Sequence, residues 1–231
     1  MKALKREKAI QILTSLLVFF AFTIMGCDNS TEVQSNEVST SFFSEGKFNK
    51  VQNNSLILNE IKLLIRNLKL DRIEDNGSSD INLGPFVIHL NPDGFNTGVQ
   101  VDEMPQGSYK RVKFEVHKLE DHEVPPDPEF REGESGSDRF SAIIKGSYNN
   151  RLFVYKSQRT TYQEIEFTSP LIIDGITSVN FTIKVNPYSW FYENGNYLDP
   201  LDDANRSEIE MNIEHSFKDA YKDNNKDGLP D

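Results

Sequence analysis

Apolar and polar residues alternate along much of this chain, and the alternation predicts strands. The cleanest run is Val179, Phe181, Ile183 and Val185, interleaved with Asn180, Thr182 and Lys184. That is the period of a half-buried strand. Val112, Phe114 and Val116 alternate with Lys113, Glu115 and His117, and Gln106-Gly107-Ser108 marks a turn ahead of them. Ile81 to Leu90 is a further strand, with Phe86, Ile88 and Leu90 on one face. Phe140, Ala142 and Ile144 alternate before Gly146, and Arg151–Tyr155 follows the Asn149-Asn150 turn. Gln163–Phe167 and Leu171–Ile173 come next, and Asp174-Gly175 predicts a hairpin turn into the strand at 179–185.

Two stretches depart from the period of two. In Glu60–Arg72, Ile61, Leu64, Ile65 and Leu68 fit a helix face, while Ile61, Leu63 and Ile65 fit a strand; the dense aliphatic and β-branched neighbours favour strand. Near the end, Ile209, Ile213, Phe217 and Tyr221 recur every fourth residue. They predict a helix over 208–222, with Ser207-x-x-Glu210 as its capping box. Several short strands with Gly, Asn and Pro turns predict a mainly β fold, a β-sandwich of about 7–9 short antiparallel strands with one C-terminal helix. Asp121–Asp138, rich in proline and glycine, reads as a long surface loop, functional or disordered.

The N-terminus has another character. Lys2, Lys5, Arg6 and Lys8 precede an apolar run from Ala9 to Met25, then Gly26 and Cys27, the one cysteine of the chain. A basic head followed by an apolar run is the layout of a secretory signal over residues 1–26. A plain membrane anchor is the alternative, but Gln11, Thr14, Ser15 and Thr23 interrupt the run. Residues 27–55 are rich in Ser, Thr and Asn and predict a flexible, disordered tether, with a reach on the order of 30 Å. The β-sandwich is expected over 56–206, and a helix with an acidic Asp/Asn loop over 207–231.

Charge narrows the partners. The chain carries a net charge of −11, and residues 1–26 contribute four basic side chains against Glu7, so their removal takes the remainder to −14. Nucleic acid is excluded, because phosphate binding needs a basic surface. Anionic lipid headgroups are excluded on the same ground. Divalent cations are compatible with it, although acidity also serves solubility alone.

Three clusters carry candidate chemistry. The last nine residues place oxygen-bearing side chains at loop positions 1, 3, 5 and 9 (Asp223, Asn225, Asp227 and Asp231), with Gly228 at position 6. Alternate oxygens around a tight turn suit calcium, which takes six to eight hard oxygen ligands. A solvated acidic tail is the competing reading. His117–Asp127 gathers Glu120, Asp121, His122 and Glu123 at a strand end; its spacing matches no metal-ligand pattern, and a charged loop is the simpler reading. Tyr188-Ser189-Trp190-Phe191-Tyr192 holds the single tryptophan, either as core or as a platform for a glycan. No catalytic arrangement stands out: G-x-S-x-G, P-loop and G-x-G-x-x-G motifs are missing.

Ile24-Met25-Gly26-Cys27 resembles the lipobox of bacterial lipoproteins. The resemblance implies cleavage before Cys27, a diacylglycerol thioether on its sulfur and an acylated (for example palmitoylated) amino group, a stable membrane attachment in the cell envelope. The terminal loop resembles an EF-hand loop or a thrombospondin type 3 calcium repeat, without the glutamate of position 12. Pro105-Gln106-Gly107-Ser108-Tyr109 ahead of Val112–His117 is similar to the lead-in of prealbumin-like sandwiches and carries no site residues across. The expectation is an exported, lipid-anchored binding or structural module rather than an enzyme. A glycan-binding or glycan-hydrolysing envelope protein, and an assembly component that adds strands to partners, are the alternatives.

Overall fold

Alternating aliphatic and aromatic residues build strands through most of the chain in the computed structural model. It describes residues 37–46, 55–74, 83–92, 94, 98–101 and 104–231. The expected signal segment, residues 1–26, and Cys27 lie outside these residues. In order, the strands are β1 (Val38–Ser44), β2 (Leu56–Arg72), β3 (Phe86–Leu90), β4 (Val99–Val101), β5 (Gly107–Val116), β6 (Ala142–Tyr148) and β7 (Arg151–Ser157). They continue with β8 (Thr161–Ile173), β9 (Val179–Val185), β10 (Tyr192–Glu193), β11 (Asn196–Tyr197), the helix α1 (Arg206–Glu214) and β12 (Phe217–Lys222).

Ten strands form one mixed sheet in the order β4-β1-β9-β12-β8-β5-β2-β6-β7, with β3 also paired to β2. β1 runs parallel to β9, and β12 parallel to β8. The sheet curls. Phe42 on β1 and Phe114 on β5 stand four places apart in the strand order, roughly 19 Å in a flat sheet. Their ring centroids are 6.0 Å apart, and Phe114 meets Phe217 of β12 at 5.4 Å, both edge to face. The inner face therefore closes on itself around one core, to which strands from β1 to β12 contribute. α1 and the 3-10 turn Pro187–Phe191 add Ile209, Ile213, Tyr188, Trp190 and Phe191 to it.

A second, smaller cluster lies on the outer face. Leu64 of β2 and Ile143 of β6 are covered by Leu119, Phe130 and Phe140, so the Asp121–Asp138 loop is an ordered cover with Phe130 fully buried. Ion pairs hold it down: Lys62 with Asp127 at 2.7 Å and Glu129 at 2.8 Å, Arg139 with Asp121, and Lys156 with Glu132.

Several expectations need correction. The tether was expected to run through residue 55, but 38–44 is a strand inside the sheet with Val38 and Phe42 in the core. The strands are mixed rather than antiparallel, and among the described residues they number twelve rather than 7–9. The helix expected over 208–222 ends at Glu214, and Phe217–Lys222 is a strand. Ser207 does not cap it: the N-cap is Asn205, without a side-chain capping bond, and Glu210 is buried, accepting from Tyr155 Oη at 3.1 Å and Ser157 Oγ at 2.6 Å. Asp174-Gly175 does turn the chain, with Gly175 at φ +77, but β12 sits between β8 and β9 in the sheet. The stretches 163–167 and 171–173 belong to one strand, β8.

Candidate functional site

The terminal loop is a clasp on the outer face of β1, β9 and β12. The polar alternation of β9 turns Asn180 and Thr182 outward, where they are nonetheless buried. Asn180 Oδ1 accepts from Ser39 Oγ at 2.8 Å and Ser41 Oγ at 3.1 Å, and its Nδ2 donates to the Asp223 carbonyl at 2.8 Å. Asp223 is fully buried. One carboxylate oxygen accepts from Thr182 Oγ1 at 2.7 Å and Gly228 N at 3.1 Å, the other from Asp227 N at 3.1 Å. A buried carboxylate is tolerable only with such donors around it. Gly228 is required here: it sits at φ +82, and a Cβ would lie 2.6 Å from the Phe43 ring. Tyr221 Oη donates to its carbonyl at 2.5 Å. Burial, then the charges of Asp223 and Asp219, push the Tyr221 phenol up to about 12.

The same loop tests the calcium reading. Asp227 N donates to Asp223 Oδ1 and to Asn225 Oδ1, both at 3.1 Å, so these oxygens converge. Asn225 Nδ2 reaches Asp227 Oδ2 at 3.1 Å, and Asp231 Oδ2 accepts from Asn224 N at 2.8 Å. The four expected ligands are thus gathered by the turn, yet each carries a hydrogen bond within the protein. Among the described residues no group of three or more His, Cys, Asp or Glu side chains is placed to hold a metal ion. The residues fit a cation only in part: they supply convergent oxygens but not the six to eight that calcium takes.

His117 is buried and joins an ionic network rather than a ligand set. Its Nε2 lies 2.6 Å from Glu123 Oε2, and Nδ1 lies 3.7 Å from Glu115. Arg66, on β2, bridges Glu115 at 3.0 Å, Glu120 at 3.1 Å and Glu123 at 2.9 Å. Burial alone would raise the Glu123 carboxyl, but the Glu120 amide, His117 and Arg66 outweigh it and bring it down to about 2. Asp121 and Asp127 point elsewhere, to Arg139 and Lys62, and His122 is exposed. The sequence motif contains no hint of Arg66.

Trp190 has no exposed surface, and its indole N–H finds no partner among the described residues. It is core, so of the two readings of Tyr188–Tyr192 the glycan platform is corrected at Trp190. Its neighbour Tyr192 is only half-buried and lines an open cleft of about 340 Å³. This cleft lies where β1 and β9 end and β12 begins. Lys184 forms one side, held by Glu45 at 2.5 Å. Asn186 caps the 3-10 turn, accepting from Ser189 N at 3.3 Å. Asn212 of α1 donates to the carbonyls of Trp190 at 3.2 Å and Tyr192 at 3.3 Å. His215 and Lys218 stand at the opposite rim, exposed. Sequence reading missed this cleft, because its residues come from β1, β9, α1 and β12.

No protein-family model matches the chain, and no curated protein and no solved structure is significantly similar to it.

Proposed function

We propose that this chain is an exported envelope protein, anchored by lipid on Cys27, whose β domain is a non-catalytic binding or structural module. The anchoring rests on Ile24-Met25-Gly26-Cys27 behind a basic head and an apolar run. On this reading the two limbs of the curled sheet form a β-sandwich. One observation carries the module reading: each of the three clusters with candidate chemistry has its central residue taken up inside the fold. Asp223 fastens the terminal loop, His117 joins the Arg66 network, and Trp190 fills the core. Calcium, where it binds, would be held on the open side of the loop by Asn225, Asp227 and Asp231 with Asp223 Oδ1 behind them, adding to a clasp that already closes. Fractionation of cells carrying Cys27→Ala tests the anchor. The variant is expected to leave the membrane fraction, and retention there at the level of the unaltered chain would defeat the proposal.

A strand-adding role has a specific support of its own. β7 ends the sheet, and its outward residues Leu152 and Val154 are 81% and 55% exposed, with Ile57 of β2 in register beside Leu152 through Ser147. The edge of β7 is covered at Lys156, whose carbonyl accepts from Arg206 Nη1 at 3.1 Å, but around Leu152 and Val154 the strand has no proline or bulge and is open to pairing.

A further inference from the structure

We infer that the cleft between β9, α1 and β12 is a binding site for a singly charged, hydroxyl-rich anion of monosaccharide size, a uronic acid unit of an acidic glycan. This inference rests on the reading of the domain as a binding module and names its ligand class. The first support is a β-bulge. The ladder of β12 with β9 shifts register between Phe217 and Asp219, so Lys218 is the extra residue. Bulges re-aim a side chain and gather beside functional sites. Lys218 is exposed at the cleft, and its amine makes no ion pair or hydrogen bond among the described residues.

The second support is the chemistry of the walls. Lys184 is neutralised by Glu45, whereas Lys218 forms no ion pair among the described residues, not even with Asp219 beside it, so its amine is the one left to meet a carboxylate of a ligand. Asn212 uses its Nδ2 on two carbonyls, leaving Oδ1 for a hydroxyl, and exposed Asp219 offers further acceptors. Tyr192 supplies an aromatic side chain, held edge to face against Tyr197 at 5.5 Å. Val185 is the one aliphatic residue in the lining, which suits a sugar better than an apolar ligand. The walls are also fixed in advance: Asn186 and Ser189 lock the 3-10 turn, and Asn212 ties it to α1.

Saturation-transfer NMR on the full chain, with oligogalacturonate against the matching neutral oligosaccharide, tests this. We expect the uronate to bind at least tenfold more tightly than the neutral sugar. Lys218→Ala should weaken it about tenfold with the melting temperature unchanged, and Lys218→Arg should keep it. Absence of uronate binding, equal binding of the neutral sugar, or an unaffected Lys218→Ala variant would overturn the inference. Membrane partition of the same preparation reports separately on the anchored-module reading, so the two can fail independently.

Discussion

Replacing Asp223 with alanine should unfasten the terminal loop. The carboxylate takes three hydrogen bonds, from Thr182 Oγ1 at 2.7 Å and from the amides of Asp227 and Gly228 at 3.1 Å each. A bond to a charged group contributes about 1.5 to 3 kcal/mol, and a buried donor left alone costs about 1 to 3 kcal/mol. Two terms reduce the sum. Asn224–Asp227 are exposed, so the freed Asp227 amide can find water, and the variant no longer buries a charge. Thr182 and Gly228 stay buried and carry most of the loss. A net cost of about 3 kcal/mol is expected, or roughly 6 to 12 °C in melting temperature for a domain of this size. Asp227→Ala, at an exposed position, should cost about 1 kcal/mol or less. Thermal melts by circular dichroism, in chelator and again in millimolar calcium, measure both. The reasoning fails if Asp223→Ala melts with the unaltered chain in chelator. It also fails if the two variants lose equal stability and only when calcium is present, because the loop would then be a metal site and not a clasp.

Other outcomes follow from the same geometry. Glu123 is ionised in the fold down to about pH 2, below its unfolded value of about 4.3, so its contribution is full above pH 4.3 and is lost as pH falls toward 2; Glu123→Gln should flatten acid unfolding in that window, and an unchanged profile would exclude the His117–Arg66 network as its cause. Tyr221, raised to about 12, contributes stability that is full below pH 10 and lost between 10 and 12; Tyr221→Phe should remove that slope from alkaline melts. Trp190, without exposed surface, should emit at short wavelength and resist quenching by iodide, and free quenching would place it outside the core. Leu152→Lys with Val154→Lys should abolish any concentration-dependent self-association or partner capture through β7 while leaving the melt within about 1 kcal/mol, and undiminished association would remove the edge from consideration.

The strands were legible where a single register persists. β9 keeps a strict period of two, as does β5 over Val112–Val116, and both runs were readable from sequence; ahead of the β5 run a register shift after Tyr109 puts Tyr109 and Val112 in the core three apart. Bulges hid the rest. In β2, register shifts near residues 59 and 67 bring Leu58 and Ile61, then Ile65 and Leu68, to the same face at spacings of three. Leu64 meanwhile faces out under Phe130, so the stretch reads half as helix. In β12 the bulge at Lys218 puts Phe217 and Ala220 inward three apart, and with α1 just before it the two elements join into one false helical stripe. β1 was hidden by composition. Ser39 and Ser41 look like tether residues, but they meet Asn180 across the sheet, and Thr40 and Ser44 are buried with Val38 and Phe42. Its partners, β9 and β4, are far away in sequence and leave no local trace. The Asp/Asn loop was found by its spacing. Its buried partners, Thr182 and Asn180, and the role of Asp223 as the fastener could come only from the fold.

The anchored-module account stands on Cys27, and the mass of the mature protein tests it most directly. Protein extracted from membranes with detergent, digested and analysed by mass spectrometry, should yield an N-terminal peptide that begins at Cys27 and carries a diacylglyceryl thioether and an amide-linked acyl chain. A peptide from within residues 1–26 in the mature protein, or an unmodified Cys27, would contradict the account.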